Sequence, residues 1–192
     1  GGTVTPDPGT GSTGQNGQTP DLTAKAAPSF PSVDVWPPAV DYSEFNSTGC
    51  AGPLIGANRT LNVGPGQTYT ELTDVPWLSL GAGDVVNIYY RSTAYKTKIG
   101  IISVANAQKP FIINGVTDSS CLKPTLDGQG AVTATDSRAM NFGSDIQESG
   151  IITIHRPPNT SGSHKAKYII IQNLKIINVK EGSTFKDNTN AT

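Results

Sequence analysis

The chain has 192 residues, room for one domain with a real core plus a tail. Its 14 Lys and Arg against 15 Asp and Glu leave a formal net charge of −1, which gives no electrostatic footprint for nucleic acid or an anionic membrane. With 21 Gly and 14 Pro and many Thr, Ser and Asn, the composition belongs with secreted all-β chains, and no apolar run approaches the ~20 residues of a transmembrane segment.

Residues 1–23 are a low-complexity Gly/Thr/Pro tract with nothing to bury, which reads as a linker or tail. Behind its Gly-Gly start it resembles the spacer that follows the lipid-modified cysteine of bacterial surface lipoproteins. The expected location is extracellular or on the cell surface, with any signal peptide already removed. Residues 24–58 are irregular and Pro-marked, yet carry Phe30, Val33, Trp36, Val40, Tyr42 and Phe45. Large apolar side chains in a non-periodic segment are expected to lie along the domain as a packed arm. Trp36 is also a candidate aromatic platform for a sugar ring.

The folded unit is expected over 59–192. Thr60-Leu61-Asn62-Val63 alternates as a strand, Gly64-Pro65-Gly66 stops it, and Thr68-Tyr69-Thr70-Glu71 has the form of a capping box. The spacing predicts a short helix from Tyr69 to about Asp74, limited by Pro76, with Leu72, Val75, Trp77 and Leu78 on its buried side. Gly81-Ala82-Gly83-Asp84 then turns into the first long apolar run, Val85 to Tyr90. Further runs follow at Ile99–Ile102, Phe111–Gly115, Ile151–Ile154, Tyr168–Asn173 and Leu174–Val179, each closed by Gly, Asn or Asp. Such runs are strands and corners.

The order Leu-Asn-Val-Gly-Pro-Gly-Gln-Thr-Tyr, short helix, Gly-x-Gly-Asp-Val-Val-x-Ile resembles the N-terminal entry of the right-handed parallel β-helix superfamily, which includes pectate lyases and polygalacturonases. Pro110 to Gly115, Thr125 to Gly130 and Tyr168 to Asn178 resemble its successive coils and corners. The resemblance covers Arg59 to Val179 and implies an all-β solenoid with an N-terminal capping helix and an extended arm. The alternative is an antiparallel β-sandwich, also built from short strands and turns. Buried parallel strands want β-branched side chains inside, and Asn114, Asn173 and Asn178 suit left-handed corners or an amide ladder. After Val179 the sequence is polar, so the last coil is expected to continue or to dock on another subunit.

For the chemistry, the resemblance implies carboxylates binding calcium and a basic proton acceptor in the lyases, or clustered Asp in the hydrolases. This chain matches neither pattern, so no catalytic residue and no metal ligand is assigned. Asp127, in Leu-Asp-Gly-Gln-Gly, reads first as a turn residue. The best constellation for acidic sugars is Tyr89, Tyr90, Arg91, Tyr95 and Lys96, where rings and cations lie close together. His155, Arg156 and His164 flank a polar loop, and 136–148 reads as an insertion that could build a binding face. Cys50 and Cys121 either pair in an oxidising compartment or stay as two buried thiols. Asn46, Asn58, Asn159 and Asn190 open Asn-x-Ser/Thr triplets and are candidate glycosylation sites.

Two functions are expected. Either the chain is the non-catalytic N-terminal part of a protein that binds or processes polysaccharide, or it is a structural surface protein, an adhesin or fibre subunit, that self-associates through its tail or its open end.

Overall fold

A computed structural model describes residues 23–27, 49–136, 150–155 and 166–179. Its strands are β1 (Lys25–Ala26), β2 (Leu54–Ile55), β3 (Thr60–Val63), β4 (Val85–Tyr89), β5 (Thr97–Ile101), β6 (Phe111–Val116), β7 (Thr125–Asp127), β8 (Val132–Thr133), β9 (Ile152–Ile154), β10 (Ile169–Gln172) and β11 (Lys175–Ile177). All pair in parallel. An antiparallel sandwich is therefore the wrong alternative, because its strands would be joined by hairpins.

Besides the small β1–β2 pair, the chain visits three sheets in turn. The first holds β3, β4, β6 and β10 side by side; the second pairs β7 with β11; the third runs β8-β5-β9. One pass goes from β4 through Tyr95, which bridges to Leu126 of the second sheet, to β5 in the third. The next goes from β6 through β7 to β8, and a last pass begins with β10 and β11. Register carries like onto like: Val86 sits on Ile113 and then Ile171 is added above it, while Leu126 carries Ile176 and Ile101 carries Ile154.

Alternation decides what each strand hides. Val86, Ile88, Ile113, Leu126, Ile99 and Ile101 point into the space between the sheets and join Trp77 in one core. Burying each such side chain fully stabilises by roughly 1.5–3 kcal/mol. β4 and β6 are buried on their outer face as well: Val85, Asn87, Ile112 and Asn114 are within 1 % of full burial. This is why their sequences read as nearly continuous apolar runs.

The expected capping helix is replaced by two short 3-10 turns, Leu72–Asp74 and Trp77–Ser79. Glu71 is extended (φ −132°, ψ 154°), and its carboxylate goes to Arg91, so no capping box closes. Pro76 then breaks the segment in two. Leu72, Val75 and Trp77 are buried as expected, the Trp77 indole N–H donating to the Leu72 carbonyl at 2.8 Å; Leu80 is buried with them, and Leu78 only half so.

The opposite edge from β10 is closed. Tyr69 bridges to Val63 beside β3, and its N–H donates to the Asn62 carbonyl. Asp84, fully buried, accepts from Asn58 Nδ2 at 2.7 Å, from Arg59 Nη2 at 2.6 Å and from the Gly81 N–H at 2.8 Å. Burial pushes the Asp84 carboxyl up, but these bonds outweigh it and hold the acid below its ordinary range; the same partnership raises Arg59.

Candidate functional site

The sequence constellation gathers at the corner between the first and second sheets, but it does not face solvent as a unit. Tyr95 has no exposed surface; its hydroxyl donates to the Tyr89 carbonyl at 2.7 Å, and burial pushes its pKa to about 12. The Arg91 guanidinium lies 3.8 Å from the Tyr95 ring centroid and forms a two-pronged pair with Glu71, with Nη2 to Oε2 at 2.9 Å. Thus Tyr95 and Arg91 brace the corner against the 3-10 segment, and the Tyr95 ring has no exposed face. The rings of Tyr89 and Tyr90 are half-buried.

Lys96 is different, with 55 % of its side chain exposed. It stands 3.6 Å from Asp127 Oδ2. Asp127 Oδ1 accepts from Asn178 Nδ2 at 2.7 Å and from the Gln129 N–H at 2.9 Å, which hold the carboxyl below its ordinary range against some burial, with Lys96 adding to the effect. The bond to Gln129 is the turn role read from Leu-Asp-Gly-Gln-Gly. Lys175, exposed, follows on the same outer face, one strand further along.

Behind the first sheet runs an amide ladder that the sequence signalled only in part. Asn62, Asn87 and Asn114 occupy equivalent positions in β3, β4 and β6. Asn87 Nδ2 donates to Asn62 Oδ1 at 3.0 Å, Asn114 Nδ2 to Asn87 Oδ1 at 3.1 Å, and Gln172 Nε2 and Asn173 Nδ2 to Asn114 Oδ1 at 3.1 and 3.0 Å. Residues 49–56 lie across it and trade backbone bonds with the same amides: the Leu54 N–H donates to Asn87 Oδ1, and Asn114 Nδ2 donates to the Gly52 carbonyl. A Cys50–Cys121 disulfide fastens this segment beyond β6. Of the three corner asparagines, Asn173 (φ 57°) and Asn178 (φ 56°) are left-handed, and Asn114 belongs to the ladder instead.

The third feature, among the described residues, is a core whose last apolar side chains are partly exposed. Ile171, Ile176 and Ile154, one per sheet, stack on Ile113, Leu126 and Ile101, which are fully buried. They are themselves 36 %, 41 % and 51 % exposed. On the other face of β10, level with Asn114, Gln172 Oε1 is buried with no hydrogen-bond partner. The signal in the sequence was the same apolar run that made each strand; only the register shows which one comes last.

Among the described residues no three His, Cys, Asp or Glu side chains gather to hold a metal. The calcium implied by the resemblance finds no ligand set there, since Asp84 and Asp127 give their oxygens to Arg59, Asn58, Asn178 and Gln129. His155 ends the third sheet, its N–H on the Ile101 carbonyl. Asn58 is exposed, but its amide nitrogen is engaged with Asp84. Trp36, Tyr42, Asn46, Arg156, Asn159, His164, Asn190 and the 137–148 stretch lie outside the described residues. No protein-family model, curated protein or solved structure matches this chain.

Proposed function

We propose that the described residues form the closed end of a right-handed parallel β-helix at the cell surface, and that their role is structural: they terminate the stack on one side and present the partly exposed apolar side chains of β9, β10 and β11 for self-association. The observation that carries this is the pair of unlike ends. One is sealed by Tyr69 and the Arg59–Asp84 brace, and at the other, among the described residues, Ile154, Ile171 and Ile176 are partly exposed where they stack on buried core residues. Parallel strands joined by crossovers are right-handed in about 98 % of cases, which supports the handedness. Exposed apolar side chains in line with a core mark an interaction face, and a solenoid needs its end covered.

The test is Ile154→Asp, Ile171→Asp and Ile176→Asp combined, compared with the parent by sedimentation velocity. The parent associates with rising concentration and the variant stays monomeric at unchanged secondary structure. A parent that remains monomeric at every concentration overturns the reading.

A second reading, binding of acidic polysaccharide, is favoured by Lys96 and Lys175 exposed on one outer face with Tyr90 at its corner. Affinity electrophoresis in polygalacturonate, with Lys96→Ala and Lys175→Ala as controls, tests it; equal mobility with and without the polymer sinks it.

A further inference from the structure

We propose that residues 49–56 form a redox-latched strap over the amide ladder, held shut by the Cys50–Cys121 disulfide and released by a thiol reductant while the stacked sheets stay folded. This goes beyond the assembly reading and rests on none of its contacts.

The strap's grip on the first sheet is polar and narrow. The Ala51 N–H donates to Thr117 Oγ1 and the Thr117 N–H to the Ala51 carbonyl, both at 2.9 Å. Asn114 Nδ2 reaches the Gly52 carbonyl at 3.0 Å, and Leu54 exchanges two bonds with Asn87 at 3.0 and 2.9 Å. The apolar anchor is slight: Ala51 is buried, Gly52, Pro53 and Leu54 are half-buried, and Ile55 is 53 % exposed. Each bond replaces one that water would make, so its net worth is small, and the covalent link decides whether the strap stays down.

Both ends of the strap are built to act separately. At the latch, Cys121 sits on a turn formed without the strap's help, since Asp118 Oδ1 accepts from the Ser120 and Leu122 N–H groups. At the hinge, the Gly56 N–H donates to Thr60 Oγ1 and the Asn58 N–H to the Gly83 carbonyl, which keep the following residues in place. Cys50 and Cys121 are each half-buried, within reach of a small thiol. A dithiol's thiolate attacks one sulfur to give a mixed disulfide, and its second thiol closes on the first. The reductant leaves as its own disulfide, and the protein gains two electrons and two protons as two cysteine thiols. Lifting the strap then frees the side chains of Asn87, Asn114 and Thr117 from their bonds to Leu54, Gly52 and Ala51.

Amide hydrogen exchange on the full chain, read by mass spectrometry, tests this in three forms: oxidised, reduced with dithiothreitol and kept reduced, and Cys50→Ser. The expected result is at least tenfold faster exchange in the 50–55 peptide of the latter two, with less than twofold change in peptides from β4 and β6. Reoxidation restores protection in the reduced form. If the strap peptide stays protected after reduction, the disulfide is not a latch; if β4 and β6 exchange as fast as the strap, the segment is core rather than strap. Should Cys50→Ser fail to fold, the reduced parent still decides.

Discussion

Asn87 lies beside Asn114 in neighbouring parallel strands, and the two side chains share a hydrogen bond of 3.1 Å inside a fully buried face. Asn87 also serves Asn62 and both backbone groups of Leu54, so one side chain ties two strands and the strap together. Buried polar groups that lose their partner cost about 1–3 kcal/mol each. Asn87→Leu is therefore expected to destabilise by about 3 kcal/mol, measured by urea denaturation. Replacing Asn62, whose position is less buried, should cost no more than about 1 kcal/mol.

Asp84 makes stability depend on pH. Its folded pKa lies below the unfolded one, so as pH falls the unfolded chain takes up the proton first. The stabilisation is complete above the unfolded value, about 3.9, and is lost as pH drops through the folded value. Asp84→Asn is expected to cost about 2 kcal/mol at neutral pH, a figure discounted for the 42 % exposure of the Arg59 side chain. Urea midpoints of parent and variant should converge as pH is lowered below 4; a constant gap contradicts the assignment.

Gly115 lets the passes approach. A Cβ there would run into the Asn173 carbonyl, which belongs to the next pass, at the turn that follows β10. Gly115→Ala forces backbone rather than a flexible side chain to move, and overpacking of this kind costs about 1–3 kcal/mol. Hydrogen exchange should show the loss concentrated in β10 and β11, with β3 and β4 protected as before. Gly66, which has open space around it, is the control for sterics, though its φ of 73° brings its own cost.

The strands were legible because their chemistry is local: Val85 to Tyr89 and Phe111 to Val116 announce themselves as β-branched runs. The helix was not, because Glu71 satisfies Arg91, a residue 20 positions away, in place of its own backbone. Likewise Asn62, Asn87 and Asn114 are unremarkable singly and become a ladder only at separations of 25 and 27 residues, which depend on how each corner turns. The burial of Tyr95 was hidden for a related reason. An aromatic one residue before an exposed lysine gives no hint of its direction until the bridge to Leu126 turns it inward.

Tyr95 supplies the converse of the Asp84 experiment. Its ring fills the corner and its hydroxyl gives the Tyr89 carbonyl a partner, so Tyr95→Phe keeps the packing and removes one hydrogen bond. The expected cost near neutral pH is about 1 kcal/mol, and Tyr95→Ala, which also opens a cavity, should cost about 3–5 kcal/mol. Burial raises the folded pKa from 10.0 to about 12, so the unfolded chain releases its proton first as pH climbs. The stabilisation is complete below the unfolded value and declines as pH rises towards the folded one. Parent stability relative to Tyr95→Phe is therefore expected to fall between pH 10 and about 12, read as the difference in urea midpoint, with tyrosinate absorbance at 295 nm following unfolding. A difference that stays flat across that range would mean that the hydroxyl ionises as freely in the folded protein as in the unfolded chain. The corner would then be open to water, and the stacking of Arg91 on a buried ring would have to be abandoned.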